Sequence, residues 1–417
     1  MLDVNLLRKE PDRLAASLAH RGITDVDLAA LAELDERRRR IRAEAETLRA
    51  EQKELGATVA GLEGADKAAA LARGAELAAA YKEKLAVADQ LDAGFDAQWI
   101  PLPNLVHESV PRGESEDDNV EVRRWGAVPE FEFPVRDHLE LAAASGVIDM
   151  ERAAKISGAR FGLLTGPAVI LEFSLVRWAF DRLGAEGFTP VVPPVLVREE
   201  ALFGTGFFPS DAEQVYAVPA DDLYLVGTSE VSLASMYGDE IFPAEDLPRR
   251  LVGFSTCFRR ESGAAGRDTR GIFRVHQFDK VEMFSFCPPE QSWEEHEYLF
   301  AREESLIQEL GLPYRVVNVC SGDLGSSAAK KYDIEAWYPG QQRYREITSC
   351  SNTTDYQARR LKIRLRDEAG NRLLHTLNGT AVPVQRMLIA IMENFQQPDG
   401  TVRVPEALVP YTGFEAF

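Results

Sequence analysis

Between Cys257 and Glu282 the chain gathers Arg259, Arg267, Arg270 and Arg274 around a glycine-bearing turn, then sets out His276, Phe278, Lys280 and Glu282. A planar guanidinium meets two phosphate oxygens with parallel hydrogen bonds. Two strands with arginines near their turn can therefore hold an extended triphosphate. A solvated basic hairpin is the bland alternative, and Phe278 and Glu282 weigh against it. Alternation along a strand sorts Arg274, His276, Phe278, Lys280 and Glu282 into two sets by face, with Arg274, Phe278 and Glu282 together. One face then offers a phosphate ligand, a stacking ring and a carboxylate for an ammonium. His276, between Val275 and Gln277, reads as a structural hydrogen-bonding group before it reads as a general base.

These groups need a rigid frame. Strand-like runs occur at Phe188–Val197, Leu251–Arg260, His276–Cys287 and Tyr314–Val319. Several follow one another without an intervening helix, which predicts an α+β fold: an antiparallel sheet with helices packed on it. Neither a Walker A sequence nor a G-x-G-x-x-G after a strand is present, so nucleotide binding by those routes is unsupported. Nearer the start, Leu34, Ile41, Leu48, Leu55 and Leu62 recur every seven residues, with Ala45 and Val59 between them. Gly61 and Gly64 break that seam, and Leu77, Tyr81, Ala88, Leu91 and Phe95 resume it. Two helices of about 30 residues predict an antiparallel coiled-coil hairpin roughly 45 Å long. A dimerisation coil or spacer has the same pattern. Arg37, Arg38, Arg39, Arg40 and Arg42 fit a solvated charged face, nearly balanced by Glu and Asp nearby; the pattern allows an RNA contact but does not demand one. Pro101 and Pro103 end the hairpin, and Val110–Asn119 reads as a linker.

The chain has 417 residues and 45% hydrophobic content, which suits two domains. It shows no apolar run long enough to span a bilayer and no signal-peptide pattern at its start. Cys257, Cys287, Cys320 and Cys350 are scattered, so structural zinc is not expected and a cytoplasmic location is. A net charge of -20 argues against a general nucleic-acid binder; any RNA contact must be local.

The central segment resembles motif 2 of class II aminoacyl-tRNA synthetases in its bacterial-type seryl form: F-R-x-E, G-R-D-T-R-G, then R-x-H-Q-F-x-K-V-E. The match falls on Phe258, Arg259, Glu261, Gly266–Gly271, Arg274, His276–Phe278 and Lys280–Glu282. Gly187–Val197 resembles motif 1, with Pro194 at its proline. Gly204–Thr–Gly206, the T-x-E of Thr228–Glu230, Arg345–Asn352 with Gln357–Arg360, and Asn378–Thr380 with Arg386 follow in family order, motif 3 among them, as does Val404–Pro410.

The resemblance implies a serine–tRNA ligase using ATP and Mg²⁺, a homodimer built through motif 1, and a hairpin that grips the long variable arm of tRNA. Residues 1–107 form the tRNA-binding domain, with its arm at about 30–97, and residues 108–417 the catalytic domain. Arg259, Glu282 and Arg386 are the expected catalytic residues. ATP is expected along Arg259, Arg260, Glu261, Arg274, Val275 and Phe278, with Glu346, Ile347, Thr348, Ser349 and Arg386. Arg259 bridges the serine carboxylate and the α-phosphate, Glu261 reads the adenine edge, Phe278 stacks on it, and Arg274 and Arg386 hold the outer phosphates. Glu346 and Ser349 ligate Mg²⁺. Ser229 is expected in the serine site, where Thr228, Glu230 and Glu282 surround the ammonium and Asn378 and Thr380 lie near the hydroxyl.

The chain departs from N-G-S-G-L-A-V-G-R in motif 3, where it reads Asn378-Gly-Thr-Ala-Val-Pro-Val-Gln-Arg386. Ala381 and Gln385 replace glycines and Pro383 stands at the helix entry. Two rivals stand beside this reading: an adenylating paralogue that delivers to a non-tRNA acceptor, and an inactive paralogue that binds RNA or a partner. The long hairpin opposes the first; intact Arg259, Glu346 and Arg386 oppose the second.

Overall fold

Asp27 accepts the Ala30 N–H at 2.9 Å and so caps the first long helix of the chain. The computed structural model describes residues 1–263, 268 and 270–417; Gly266, Arg267 and Thr269 of the central motif lie outside them. The chain divides into two units, Met1–Leu102 and Pro103–Phe417.

The first unit holds two short helices, α1 (Val4–Lys9) and α2 (Pro11–His20), and two long ones, α3 (Leu28–Val59) and α4 (Gly64–Trp99). The heptad seam lies between α3 and α4. Leu34, Ile41, Leu48 and Leu55 are half-buried there, Leu31 and Ala45 fully so, against Leu77, Ala88 and Phe95 of α4. The break falls at Ala60–Glu63, at the predicted glycines. The root of the hairpin buries a charge beside its apolar residues. Asp35 is 1% exposed and accepts from Arg8 at 2.7 and 2.9 Å, from Arg38 at 2.8 Å and from Arg39 at 3.1 Å. Burial alone raises the Asp35 carboxyl, but the bonds from Arg8 and Arg38 outweigh it and hold the group at about 2. Arg38 sits at a seam position, lies 4.0 Å from the Phe95 ring centroid and reaches Asp92 at 3.2 Å. Arg42 pairs with Asp89 at 2.9 Å and with Asp92. Arg38 is thus drawn into the hairpin, whereas Arg39, 53% exposed, and Arg42, 37% exposed, stay on a solvated face while pairing with acids.

The second unit is built on an eight-stranded sheet. Its strands are β1 (Val120–Trp125), β2 (Thr189–Val191), β3 (Arg249–Phe258), β4 (Gln277–Cys287), β5 (Tyr314–Asn318), β6 (Lys330–Tyr338), β7 (Arg343–Asn352) and β8 (His375–Pro383). They lie in the order β1-β5-β6-β7-β8-β4-β3-β2, antiparallel except for β2 against β3. The run expected as one strand at Phe188–Val197 is two short pieces, because Pro193 and Pro194 interrupt the ladder. Helices α5 (Pro167–Ala185), α6 (Glu230–Ser235), α7 (Ser292–Glu309) and α8 (Val384–Asn394) complete the frame. Trp178 and Leu175 of α5, Leu299 and Phe300 of α7, and Met387 and Ile391 of α8 pack with the sheet into one core. Among the described residues no helix is long and apolar enough to cross a membrane.

Two β-bulges interrupt the central strands. Ile334 faces Thr348 and Glu335 faces Glu346, so Ile347 is an extra residue in β7. Thr380 faces Glu282 and Val382 faces Val281, so Ala381 is an extra residue in β8.

Candidate active site

The Ile347 bulge decides which side chains of β7 meet. In a regular strand Glu346 and Ser349, three apart, point to opposite faces. The extra residue restores them to one face, and both line a cavity of about 250 Å³. Thr348 is turned the other way. It is 1% exposed, and its hydroxyl donates to Glu303 of α7 at 2.8 Å. The Thr348 side chain expected at the nucleotide therefore belongs to the packing beneath the sheet.

Arg259, Glu261, Arg274, Val275 and Phe278 line the same cavity, as do Ile347, Thr380 and Arg386. Arg259 leaves the end of β3. Its Nε donates to the Gly227 carbonyl at 3.1 Å and its guanidinium carbon lies 5.1 Å from the Phe278 ring centroid. Arg386, in the first turn of α8, donates to the Glu346 carbonyl at 2.9 Å and to its carboxylate at 3.1 Å. Burial opposes ionisation of Glu346, but Arg386 and then Lys331 outweigh it and hold the carboxyl at about 2. Glu261 has a left-handed backbone, φ 51°, and accepts from Arg274. Two residues expected to act separately, on adenine and on phosphate, are thus paired with each other.

Some expected groups lie elsewhere. Arg260 does not line the cavity; its guanidinium lies 5.8 Å from the Tyr216 ring centroid and its N–H donates to the Gln214 carbonyl. Ser229 is fully buried beside α6. His276 precedes β4 and bonds the Arg259 carbonyl through Nδ1 at 2.9 Å, a structural role. Arg274 also precedes β4, so the expected set of Arg274, Phe278 and Glu282 is not one strand face. Strand period two puts Phe278, Lys280 and Glu282 on one face; positions 274 to 282 taken by twos all share one parity, so alternation does not divide them into two sets.

Lys280 is the residue that sequence reasoning left out. Its Nζ donates to Thr228 Oγ1 at 2.8 Å and pairs with Glu282 Oε2 at 2.5 Å. Thr380, opposite Glu282, reaches the same carboxylate at 3.5 Å. Glu230 accepts from Gln357 at 2.7 Å and from Asn378 at 3.0 Å. Burial, then the neighbouring Glu282, pushes the Glu230 carboxyl up to about 7. Thr228, Lys280, Glu282 and Thr380 make one hydrogen-bonded cluster, and Lys280 and Thr380 also line the cavity. The signal for Lys280 was present in the sequence as its parity with Phe278 and Glu282.

The departures in motif 3 have places as well. Ala381 is fully buried at the bulge. Gln385 lines the cavity, and its Oε1 accepts the Asp279 N–H at 2.8 Å, a clip from α8 to β4 that glycine lacks.

Comparison with known proteins decides the family. The seryl-tRNA synthetase N-terminal domain matches residues 1–106, and the class II tRNA synthetase core domain (G, H, P, S and T) residues 216–395. A serine–tRNA ligase of Acidothermus cellulolyticus is 52% identical over 417 residues, covering 99% of this chain and 98% of that one. The chain belongs to the seryl-tRNA synthetase family. A serine–tRNA ligase of Thermobifida fusca is 50% identical over 414 residues, with 99% and 98% of the two chains covered. The fold is that of the family too. The crystal structure of seryl-tRNA synthetase from Pyrococcus horikoshii complexed with ATP superposes with a TM-score of 0.92 at 43% identity, covering 100% of this chain and 99% of that one. A cytoplasmic serine-tRNA ligase of Naegleria fowleri in complex with AMP gives 0.87 at 33% identity, covering 100% and 98%. The expected α+β class II core with an N-terminal helical region is therefore the architecture of this family member.

Proposed function

We propose that the chain is a serine–tRNA ligase that forms seryl-adenylate from serine and ATP and passes the seryl group to tRNA. The observation that carries this is the join between two sites: Lys280 and Thr380 belong both to the arginine-lined cavity and to the carboxylate cluster around Glu282. An anionic nucleotide and an ammonium-bearing substrate can meet there.

ATP lies in the cavity with its adenine against Phe278 and its edge toward Glu261, and with its phosphates toward Arg259, Arg274 and Arg386. The serine ammonium is held by Thr228 and Glu282; Glu230, expected there as well, accepts from Gln357 and Asn378 and is assigned with Asn378 and Thr380 to the serine hydroxyl. A buried site built to bond a hydroxyl rejects alanine, because the unpaired groups cost more than a lost methylene contact. The serine carboxylate attacks the α-phosphorus, the bond to the bridging oxygen breaks, and pyrophosphate leaves. Arg259 neutralises the charge that gathers between carboxylate and phosphate. The 3′-terminal ribose hydroxyl of tRNA then attacks the acyl carbon, and AMP leaves.

Glu346 and Ser349 suit Mg²⁺, since the bulge aims a carboxylate and a hydroxyl at the cavity, and both are oxygen donors. Among the described residues no three His, Cys, Asp or Glu side chains cluster as a metal cage. The ion, when bound, offsets phosphate charge. The proposed acceptor is tRNA with a long variable arm, gripped by residues 30–97 within a tRNA-binding domain of residues 1–107. A second copy of the chain is the proposed partner of the catalytic domain, residues 108–417, through motif 1 around Pro194. Phe173 and Val192, 61% and 75% exposed, supply apolar surface for it.

ATP–pyrophosphate exchange with serine, threonine, alanine, cysteine and glycine tests the first step, followed by charging of tRNA. Exchange with serine alone is expected. Exchange with none, in folded protein, overturns the proposal.

A further inference from the structure

Glu230 and Glu282 are both buried, 8% and 1% exposed, and Glu282 destabilises the charge on Glu230. Two buried carboxylates need a cation close by. Lys280 supplies it. Its side chain is 9% exposed, and its ammonium bonds Thr228 and Glu282 at 2.8 and 2.5 Å. Those are the two groups read above as the receptors of the amino-acid ammonium. Lys280 and the substrate carry the same functional group, a primary ammonium, so both cannot occupy the same pair of acceptors with full bonding.

We propose that Lys280 is a resident cation of the amino-acid subsite, which holds the acceptors of the substrate ammonium and gives them up when the amino acid binds. The inference rests on the assignment of Thr228 and Glu282 to that ammonium. The lysine has somewhere to go. It also lines the cavity assigned to ATP, and the flexible four-carbon stem of a lysine gives its ammonium a route there. Phosphate oxygens in that cavity receive the displaced charge. Amino acid and nucleotide therefore tighten each other's binding, and the coupling is reciprocal. The subsite stays charge-compensated at every stage, since one ammonium replaces another.

Calorimetric titration of L-serine into the full-length protein tests this, with and without a non-hydrolysable ATP analogue. In wild type the analogue is expected to tighten serine about tenfold. Lys280→Met is expected to bind serine alone at least as tightly as wild type, and to lose the analogue's effect to within about twofold. A variant that binds serine about tenfold more weakly but keeps the analogue's effect makes Lys280 a fixed strut and overturns the proposal. Wild type that binds the analogue but no serine overturns the serine reading, and the proposal with it. Another amino acid binding with the same dependence on Lys280 overturns the serine assignment alone and supports the displacement. A crystal structure of wild type with a sulfamoyl seryl-adenylate analogue gives a test free of folding effects. Lys280 Nζ beyond about 3.5 Å from Thr228 Oγ1 is expected, and retention of the hydrogen bond overturns the proposal.

Discussion

Arg386 grips Glu346 twice, at the carboxylate and at the main-chain carbonyl, 3.1 and 2.9 Å away. It thereby fixes the carboxylate beside the bulge and keeps it ionised. Arg386→Ala removes a phosphate ligand and frees Glu346 at once. ATP–pyrophosphate exchange is expected to fall roughly 10²–10³-fold in kcat/KM, with a higher KM for ATP. A change below about threefold contradicts the assignment.

Arg259 lies against Phe278 and is anchored through Nε to the Gly227 carbonyl. Arg259→Ala is expected to lower adenylate formation roughly 10³-fold. Arg259→Lys recovers little of it, because an ammonium has no planar fork for carboxylate and phosphate together. Single-turnover measurement of the adenylate separates this loss from any effect on tRNA transfer, and a thermal melt checks folding.

Glu230 carries a pH signature. Its carboxyl stands at about 7 in the fold against an ordinary 4.5. A raised carboxyl favours the protonated folded state, so its contribution to stability is lost as pH rises from 4.5 through 7. The loss is of order 3 kcal/mol once ionisation is complete. Glu230→Gln cannot ionise and is expected to match wild type near pH 4.5 and to melt higher at pH 8. Its serine activation is expected to fall at both. Equal melting at pH 8 removes the burial argument.

Asp35→Ala strands Arg8, Arg38 and Arg39 at the hairpin root. The expected cost is about 3 kcal/mol, the low end of the range for a broken buried pair, since Arg39 is half exposed. Asp35 has a depressed value, about 2 against 3.8. Its stabilisation is complete above about pH 4 and lost as pH falls through 2, so variant and wild type converge in acid. Denaturant melts at pH 7 and pH 2 check both limits.

Deletion of residues 30–97 is expected to leave serine-dependent pyrophosphate exchange within about threefold of wild type while tRNA charging falls by about 10²-fold or more. Unchanged charging contradicts the role of the hairpin.

Much of this was legible from periodicity. The seven-residue spacing from Leu34 to Leu62 fixed the seam, and the two glycines its break. The density of motif residues from Phe258 to Glu282 located the site. Three things were not legible, for separate reasons. Asp35 becomes the hub of the arginine run only when α1 brings Arg8 to it across 27 residues, a tertiary event without a local signature. Lys280 was hidden by counting a strand in fours. Thr348 and Ser349 could not be assigned to faces, because a bulge is invisible until the partner strand is known. Gln385 stood out only as a missing glycine; its bond to Asp279 gives the substitution a structural use.

The extra residue at Ile347 also sets what kind of change this strand can survive. Substitutions at Ile347 alter packing, whereas loss of that one codon shifts the parity between Glu346 and everything beyond it. Either Ser349 then leaves the cavity, or Glu346 does. The strand can drift in spelling but not in length, and single-residue insertions and deletions should be purged there far more strictly than replacements.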